Sequence, residues 1–314
     1  ICQVQVARPI ILTGAPRSGT TFLHSLLAQD PQHRSPLTWE VEFPSPPPEG
    51  DHLYDDPRVA RWMEVQSGPG ATHTKDLRNP DVQKKHLIGP LLPEECGGML
   101  GAMLRSPSSL WALVRVKPYN DWIYDTQMPL AYKLHRRWLQ HLQWRAPRRY
   151  WLLKYPMHAY ALPELTAEYP DALIVQTHRA PEEIVSSLAS LIGTIRRGAL
   201  EPEDPGVIGR EMLETQAEGM DRSLAYRRRP GARPVVDVGY GELVADPMAI
   251  VARIYDQLGI ALTSEAEAAM AEFIRENPQG KAGQHHHSLQ AYGLDVAEVR
   301  GRMADYVRAF EHLI

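Results

Sequence analysis

Short apolar runs alternate along this chain with longer segments in which apolar residues recur every three or four positions. Four runs have the length and composition of buried strands, at residues 9–13, 150–154, 172–177 and 234–238. The helical periodicity predicts helices over residues 20–28, 121–144, 159–168, 181–191, 209–229, 247–258, 264–275 and 295–312. This alternation predicts an α/β fold with a central parallel sheet flanked by helices.

Two stretches interrupt the alternation. Residues 43–50, FPSPPPEG, contain too many prolines for a helix or a central strand and predict a rigid extended loop. Residues 67–98 show little periodicity and predict a long surface excursion able to cover a site. We therefore expect one domain over residues 1–314, in which residues 36–120 contain a long substrate-side excursion.

Composition narrows the class of protein. Hydrophobic residues make up 43% of the 314 residues and charged residues 23%, as is usual for a globular protein. The net charge of −4 argues against a general nucleic-acid-binding surface. Two cysteines exclude a disulfide framework, so a reducing, cytoplasmic compartment is expected. No apolar run approaches the roughly 20 residues that span a bilayer. The start at Ile1 rather than Met is compatible with a missing N-terminal portion.

Residues 10–21, IILTGAPRSGTT, join a buried strand to a glycine-containing loop. Gly14 and Gly19 have the spacing of a nucleotide phosphate loop, but Thr20 occupies the position of its lysine, and the cation is Arg17. Hydroxyl and N–H groups at the start of the following helix favour an anion there. The loop predicts transfer of another group from a nucleotide rather than triphosphate hydrolysis. The alternative is a capped strand–helix turn.

A second element, THRAPEEIVSSL at residues 177–188, follows another predicted strand. Arg179 ends the strand, Pro181 suits the first turn of a helix, and Ser187 lies two turns further on. Convergence of Arg179 and Ser187 beside the first loop would create a second phosphate site. The alternative is a surface ion pair made by Arg179.

Together the PRSGTT loop and the R-x-P-x-x-x-x-x-S element resemble the 5′-phosphosulfate and 3′-phosphate motifs of sulfotransferases. The resemblance extends through TWEVEFPSPPPE, LPEE, WLLKYPMHAYALPELTAEYPDA, GYGELVADP and HSLQAYGLD, and is greatest to the bacterial branch. Cytosolic sulfotransferases carry lysine where this chain has Arg17, whereas tyrosylprotein and some bacterial sulfotransferases carry arginine. The family implies a P-loop-like three-layer sandwich, the donor 3′-phosphoadenosine 5′-phosphosulfate (PAPS), the product 3′-phosphoadenosine 5′-phosphate (PAP), and no metal.

The resemblance also implies roles for individual residues. The 5′-phosphate and the bridging oxygen would be held by Arg17, Ser18, Gly19, Thr20 and Thr21. The 3′-phosphate would be held by Arg179 and Ser187, and adenine by Phe22 and Tyr240. Lys281 and Gly283 fall where the family closes a late loop over the 3′-phosphate, although its R-K-G-x-x-G-D-W pattern is not reproduced.

Lys154 in LLKYPMH resembles the family lysine that contacts the donor near the sulfuryl group; the alternative is a surface lysine that closes a strand. Two residues are candidates for the base. Glu40 follows Arg17 by 23 residues, close to the glutamate base of tyrosylprotein sulfotransferases, and His158 lies near the catalytic histidine of the cytosolic enzymes. We favour Glu40, because the arginine loop accompanies a carboxylate base in the relatives.

Other conspicuous residues have ordinary explanations. The three consecutive histidines at 285–287 favour a ligand-side loop over a metal site. Glu94 and Glu95 fit a helix start, where acidic side chains interact well with the helix dipole.

The sequence as a whole favours a PAPS-dependent sulfotransferase that acts on a hydroxyl of a small-molecule or lipid acceptor, with an amine as the less favoured acceptor group. Aromatic and proline-rich residues in 36–66 and 119–144 suggest an apolar acceptor pocket, compatible with peripheral membrane contact. The alternatives are a P-loop kinase or NTPase, and a non-catalytic nucleotide-binding protein on the same fold.

Overall fold

Five parallel strands form the central sheet of the protein. The computed structural model describes residues 1–69, 71, 77, 89–106, 116–199, 203–278 and 287–314. The strands are β1 (Ile10–Gly14), β2 (His33–Arg34), β3 (Tyr150–Lys154), β4 (Leu173–His178) and β5 (Val235–Gly239), in the spatial order β2-β3-β1-β4-β5. The four predicted strands are confirmed within one residue at each end. The two-residue strand β2 is too short to produce a recognisable pattern.

Helices connect and flank the strands in the described part of the chain. In chain order they are α1 (Thr20–Leu27), α2 (Thr38–Glu42), α3 (Pro57–Ser67), α4 (Cys96–Ala102), α5 (Lys117–Trp122), α6 (Met128–Gln143), α7 (Leu162–Glu168), α8 (Pro181–Ala199), α9 (Pro205–Arg227), α10 (Tyr240–Ala245), α11 (Pro247–Leu258), α12 (Ser264–Glu276), α13 (Val296–Arg302) and α14 (Ala304–Phe310). Short 3₁₀ turns occupy Gly50–His52, Pro156–Ala161 and Gln290–Tyr292. None of the described helices is long and apolar enough to cross a bilayer.

The sheet separates two apolar cores, because successive side chains of a strand point to opposite faces. In β1, Ile11 joins a core built with α6, α7, α8 and α9, whereas Ile10 and Leu12 join a core built with α1, α11 and α12. Leu153 and Leu152 divide in the same way on β3. The predicted fold class, a three-layer α/β sandwich around a parallel sheet, is confirmed.

Several helix boundaries differ from the predictions. The predicted helix over 121–144 covers the last two residues of α5, a π-helical segment at Ile123–Gln127, and α6. Pro129 lies in the first turn of α6 and lacks an N–H group, so the regular hydrogen-bond ladder is interrupted there. The segment 295–312 likewise divides into α13 and α14. Much of the predicted excursion, residues 70, 72–76, 78–88 and 107–115, lies outside the described residues.

Candidate active site

A cavity of about 420 Å³ lies where the predicted phosphate loop and the ends of β3, β4 and β5 meet. This volume falls within the usual range of small-molecule sites. One side of the cavity is polar and aromatic, lined by Arg17, Gly19, Thr20, Thr21, Phe22, Arg179 and Tyr240. A second group of lining residues, the apolar wall, is mainly apolar and consists of Tyr155, Met157, Leu188, Leu191, Ile192 and Ile195. The arrangement can receive an anionic, partly aromatic ligand beside an apolar one.

The loop backbone requires glycine at two positions. Gly14 has φ +131°, and a Cβ atom there would lie 2.5 Å from the carbonyl oxygen of Thr177. Gly19 has φ +92° immediately before α1, and a Cβ atom would lie 3.0 Å from the Tyr240 ring. The buried Ser18 hydroxyl lies 2.5 Å from the carbonyl oxygen of Ala15 and 2.5 Å from Thr177 Oγ1. These contacts hold the loop closely against β4.

Two guanidinium groups meet at this loop. Arg17 Nε donates to Ser187 Oγ at 3.0 Å, and Arg179 Nη1 donates to the carbonyl oxygen of Arg17 at 3.0 Å. Burial lowers the pKa of Arg17, and the charge of Arg179 lowers it further. Two like charges in a partly buried site are stabilised by an anion between them. The residues predicted to hold two phosphates therefore fit such a group.

Aromatic side chains lie beside these cations. The Tyr240 ring stacks under the Arg179 guanidinium, with Cζ 4.3 Å from the ring centroid. Phe22 packs near Phe273, with 6.2 Å between ring centroids. Phe22 and Tyr240 both line the cavity, so its cationic end offers planar surfaces suitable for a base.

Lys154 reaches the cavity edge from the neighbouring strand. Its position on β3 is opposite Leu12 on β1, which brings its side chain beside the loop that follows β1. Lys154 Nζ donates to Thr21 Oγ1 at 3.3 Å and forms an ion pair with Glu95. The lysine side chain is 2% exposed, so its charge is held in a fixed place next to Thr21.

The structure does not bring Glu40 or His158 to the cavity wall. Glu40 is fully buried, and its carboxylate receives two hydrogen bonds from Arg34, at 2.6 and 3.0 Å, and one from the N–H of Leu37. His158 is fully buried, with Nδ1 2.9 Å from the hydroxyl of Tyr132. Burial lowers the pKa of His158 well below its usual value. The base role of these two residues stays a prediction.

The late loop predicted from the family resemblance lies outside the described residues. This applies to Lys281 and Gly283, and to the first two of the three consecutive histidines. The third, His287, has Nδ1 2.9 Å from Ser186 Oγ. Within the described ranges, no group of three or more His, Cys, Asp or Glu side chains is arranged to hold a metal ion.

Sequence reasoning missed two features of the site. Glu95 does precede a helix, as its pattern predicted, but its side chain also lines the cavity and contacts Lys154. The LPEE motif within the family resemblance was the available signal. The apolar wall comes largely from α8, whose periodic leucines and isoleucines indicate only a buried face.

Comparisons with known proteins identify the family to which this chain belongs. The model of a family described as "Sulfotransferase family" matches residues 9–264, and the chain belongs to that family. The predicted resemblance to bacterial sulfotransferases is thereby confirmed.

Three bacterial relatives show how far the similarity extends. Sulfotransferase STF9 from Mycobacterium avium superposes with a TM-score of 0.86 at 29% identity, over 99% of this chain and 78% of that chain. STF1 from Mycobacterium tuberculosis H37Rv has a TM-score of 0.81 at 34% identity, over 97% of this chain and 78% of that one. The omega-hydroxy-beta-dihydromenaquinone-9 sulfotransferase Stf3 of Mycobacterium bovis is 25% identical over 80% of this chain. The match spans 63% of the length of Stf3.

Proposed function

We propose that this protein transfers a sulfuryl group from PAPS to a hydroxyl group of a small-molecule or lipid acceptor. The observation that carries the proposal is the paired Arg17 and Arg179 at the phosphate loop. PAPS has phosphate groups at both ends of its ribose, and two guanidinium groups held together match that charge distribution. Membership of the sulfotransferase family supports the same reaction class.

Each cation has a distinct task in this proposal. Arg17, with the N–H groups that open α1, binds the 5′-phosphate end of the donor, and Arg179 with Ser187 binds the 3′-phosphate. Phe22 and Tyr240 hold the adenine. The donor supplies the sulfuryl group when it is bound. In this proposal Arg17 and Lys154 stabilise the negative charge that develops on the bridging oxygen of the leaving nucleotide, since fixed cations stabilise such charge without reorganisation.

The acceptor is proposed to occupy the apolar side of the cavity. Leu188, Leu191, Ile192 and Ile195 present a continuous aliphatic surface from α8. A lipid with a terminal hydroxyl fits this surface, and Stf3 is by its name a sulfotransferase of a hydroxylated menaquinone. We therefore favour hydrophobic alcohols over polar sugars as acceptors, with peripheral contact at a membrane surface.

Two measurements test the proposal. Titration calorimetry with PAP measures donor-site binding, and incubation with ³⁵S-labelled PAPS and a panel of extracted lipids and metabolites measures transfer. Replacing Arg17 by alanine removes charged hydrogen bonds worth about 1.5–3 kcal/mol, which raises the Kd for PAP by about 10–140-fold. Arg308→Ala, at an exposed arginine paired with Asp305, is the matched control and leaves the Kd unchanged.

The same measurements separate this proposal from its alternatives. A P-loop kinase or NTPase would turn over ATP with Mg²⁺ and bind PAP no better than ADP. A non-catalytic nucleotide-binding protein would bind PAP but label no acceptor. Equal PAP affinity in the wild type and in Arg17→Ala would contradict the role of the loop.

A further inference from the structure

The cavity contains a carboxylate that neither the sequence nor the family motifs assigned to the reaction. Glu95 lines the cavity together with the loop residue Thr21 and with Tyr155. Its side chain is 29% exposed, so it is open to a ligand while its other contacts hold it in place. We infer that Glu95 is the catalytic base that accepts the proton of the acceptor hydroxyl, an inference that rests on the proposed sulfuryl transfer.

The helix after Glu95 packs tightly against Tyr155, a residue that lines the cavity. Glu95 directly precedes α4, whose residues Cys96 and Met99 are fully buried. A Cβ atom added at Gly97 would lie 2.6 Å from the Tyr155 ring, so glycine allows α4 to approach this ring closely. The Tyr155 hydroxyl in turn lies 2.8 Å from Ser106 Oγ. This packing fixes the position of the start of α4, and with it the backbone of Glu95.

The segment before Glu95 is held by the segment that contains Glu40. The N–H of Glu94 donates to the carbonyl oxygen of Pro36 at 2.7 Å, and the N–H of Thr38 donates to that of Leu92 at 3.0 Å. The Arg34–Glu40 ion pair secures the conformation of residues 34–40. Glu40 thus supports the backbone on which Glu95 is carried, with both of its own oxygens engaged.

Lys154 holds the Glu95 carboxylate close to Thr21, the last residue of the phosphate loop motif. Lys154 Nζ contacts both the Glu95 carboxylate and Thr21 Oγ1, so the base and the loop share one cation. Glu95 lines the same cavity as the apolar residues of α8, so an acceptor held by that apolar wall has its hydroxyl within the same site as the Glu95 carboxylate.

The proton and electrons balance in the proposed step. The acceptor oxygen forms a bond to sulfur while its proton passes to the Glu95 carboxylate. The bond between sulfur and the bridging phosphate oxygen breaks, and its electron pair stays on that oxygen beside Arg17 and Lys154. The partly exposed Glu95 then releases the proton to water.

Glu95→Gln tests the inference, with Glu94→Gln as the matched control. Both substitutions remove one negative charge, and the amide oxygen at position 94 can still accept the N–H of Glu95. The readouts are PAP affinity by calorimetry and the rate of ³⁵S transfer to the acceptor most strongly labelled by the wild type. A general base contributes about 10²–10⁴-fold, so Glu95→Gln lowers kcat by that factor while the Kd for PAP changes less than about threefold. Glu94→Gln retains wild-type kcat.

Glu95→Ala provides a second readout, because a missing carboxylate base can be replaced from solution. Sodium formate restores transfer in Glu95→Ala in a concentration-dependent way and does not stimulate the wild type. A merely structural role for Glu95 would give no such rescue. Glu95→Gln with kcat near the wild-type value, or Glu95→Ala that formate does not rescue, would overturn the inference.

If the proposed sulfuryl transfer is wrong, the same experiments give a different result from a wrong assignment of Glu95. In that case the wild type itself neither binds PAP nor transfers label, and this result also contradicts the role of Glu95. Wild-type transfer that persists in Glu95→Gln but disappears in a well-folded Glu40→Gln would assign the base to Glu40 instead.

Discussion

Replacing Glu40 by glutamine distinguishes a carboxylate that supports the fold from one that takes part in the reaction. Glutamine keeps the size of the side chain and removes its charge. In the native structure the carboxylate is fully buried and forms an ion pair with Arg34 at 2.6 Å. It also accepts the N–H of Leu37 at 2.8 Å, which closes the first turn of α2. The substitution therefore leaves a buried guanidinium without its counter-charge.

The expected loss of stability depends on the hydrogen bonds that Arg34 keeps in Glu40→Gln. Removal of one partner of a buried ion pair usually costs about 3–5 kcal/mol. Arg34 also donates to three backbone carbonyl oxygens, those of Ser35, Leu142 and Ala146. These bonds survive the substitution, so we expect a loss near the lower limit, about 3 kcal/mol. For a large domain each kcal/mol lowers Tm by about 2 °C, which gives a decrease of about 6 °C.

Thermal unfolding followed by circular dichroism measures this change, with PAP calorimetry as a check that the donor site is intact. Glu64→Gln, an exposed glutamate on α3, is the control and leaves Tm unchanged. The reasoning is refuted if Glu40→Gln melts within about 1 °C of the wild type yet loses about 100-fold or more in sulfuryl transfer. That result would make Glu40 a base at the reacting centre.

Two further predictions concern the loop and the pH dependence of stability. Gly14→Ala places a Cβ atom 2.5 Å from the carbonyl oxygen of Thr177 at φ +131°, and costs about 3 kcal/mol or more in urea unfolding. In the control Gly301→Ala, the added Cβ atom has no described atom within 4 Å outside its chain neighbours and the backbone of its own helix, so the substitution stabilises α13 by about 0.5–1 kcal/mol. Equal stability of the two variants would contradict the loop argument. Burial lowers the pKa of His24 and of His135 to about 3, so between about pH 6.5 and pH 3 the unfolded chain binds protons that the fold excludes. Stability is then complete above about pH 6.5 and falls by up to about 1.4 kcal/mol per pH unit for each histidine on acidification. Urea midpoints at about pH 7 and pH 5 measure this slope; His24→Gln decreases it, and an unchanged slope would be the contrary result.

The strands and the loop were predictable because their signals are local. A short apolar run followed by glycine and hydroxyl residues describes β1, the loop and α1 without reference to the rest of the chain. The short helices α2 and α10 were not predicted, and of α4 only the start at Glu94 and Glu95 was, since five to seven residues give little periodicity. The division of 121–144 into three segments coincides with the proline in the first turn of α6.

The carboxylates show where sequence reasoning reached its limit. Glu40 and Glu95 are both acidic residues in motifs that resemble the family, and spacing from Arg17 favoured Glu40. Burial and partners separate them: Glu40 faces Arg34 in the interior, whereas Glu95 faces the cavity beside Lys154. Each ion pair joins residues from different elements, and the partner of Glu95 lies 59 positions away.

By itself the sequence determined the layered α/β architecture and the anion-binding loop with its displaced cation Arg17, because strand pattern, glycine spacing and helix-start chemistry act over a few neighbouring residues. Only the tertiary structure decided that Arg17 and Arg179 lie against each other, that α8 supplies an apolar wall, and that Glu95 rather than Glu40 lines the cavity. The physical reason is that the register of parallel strands and the burial of each side chain depend on contacts between distant segments, which no local pattern records.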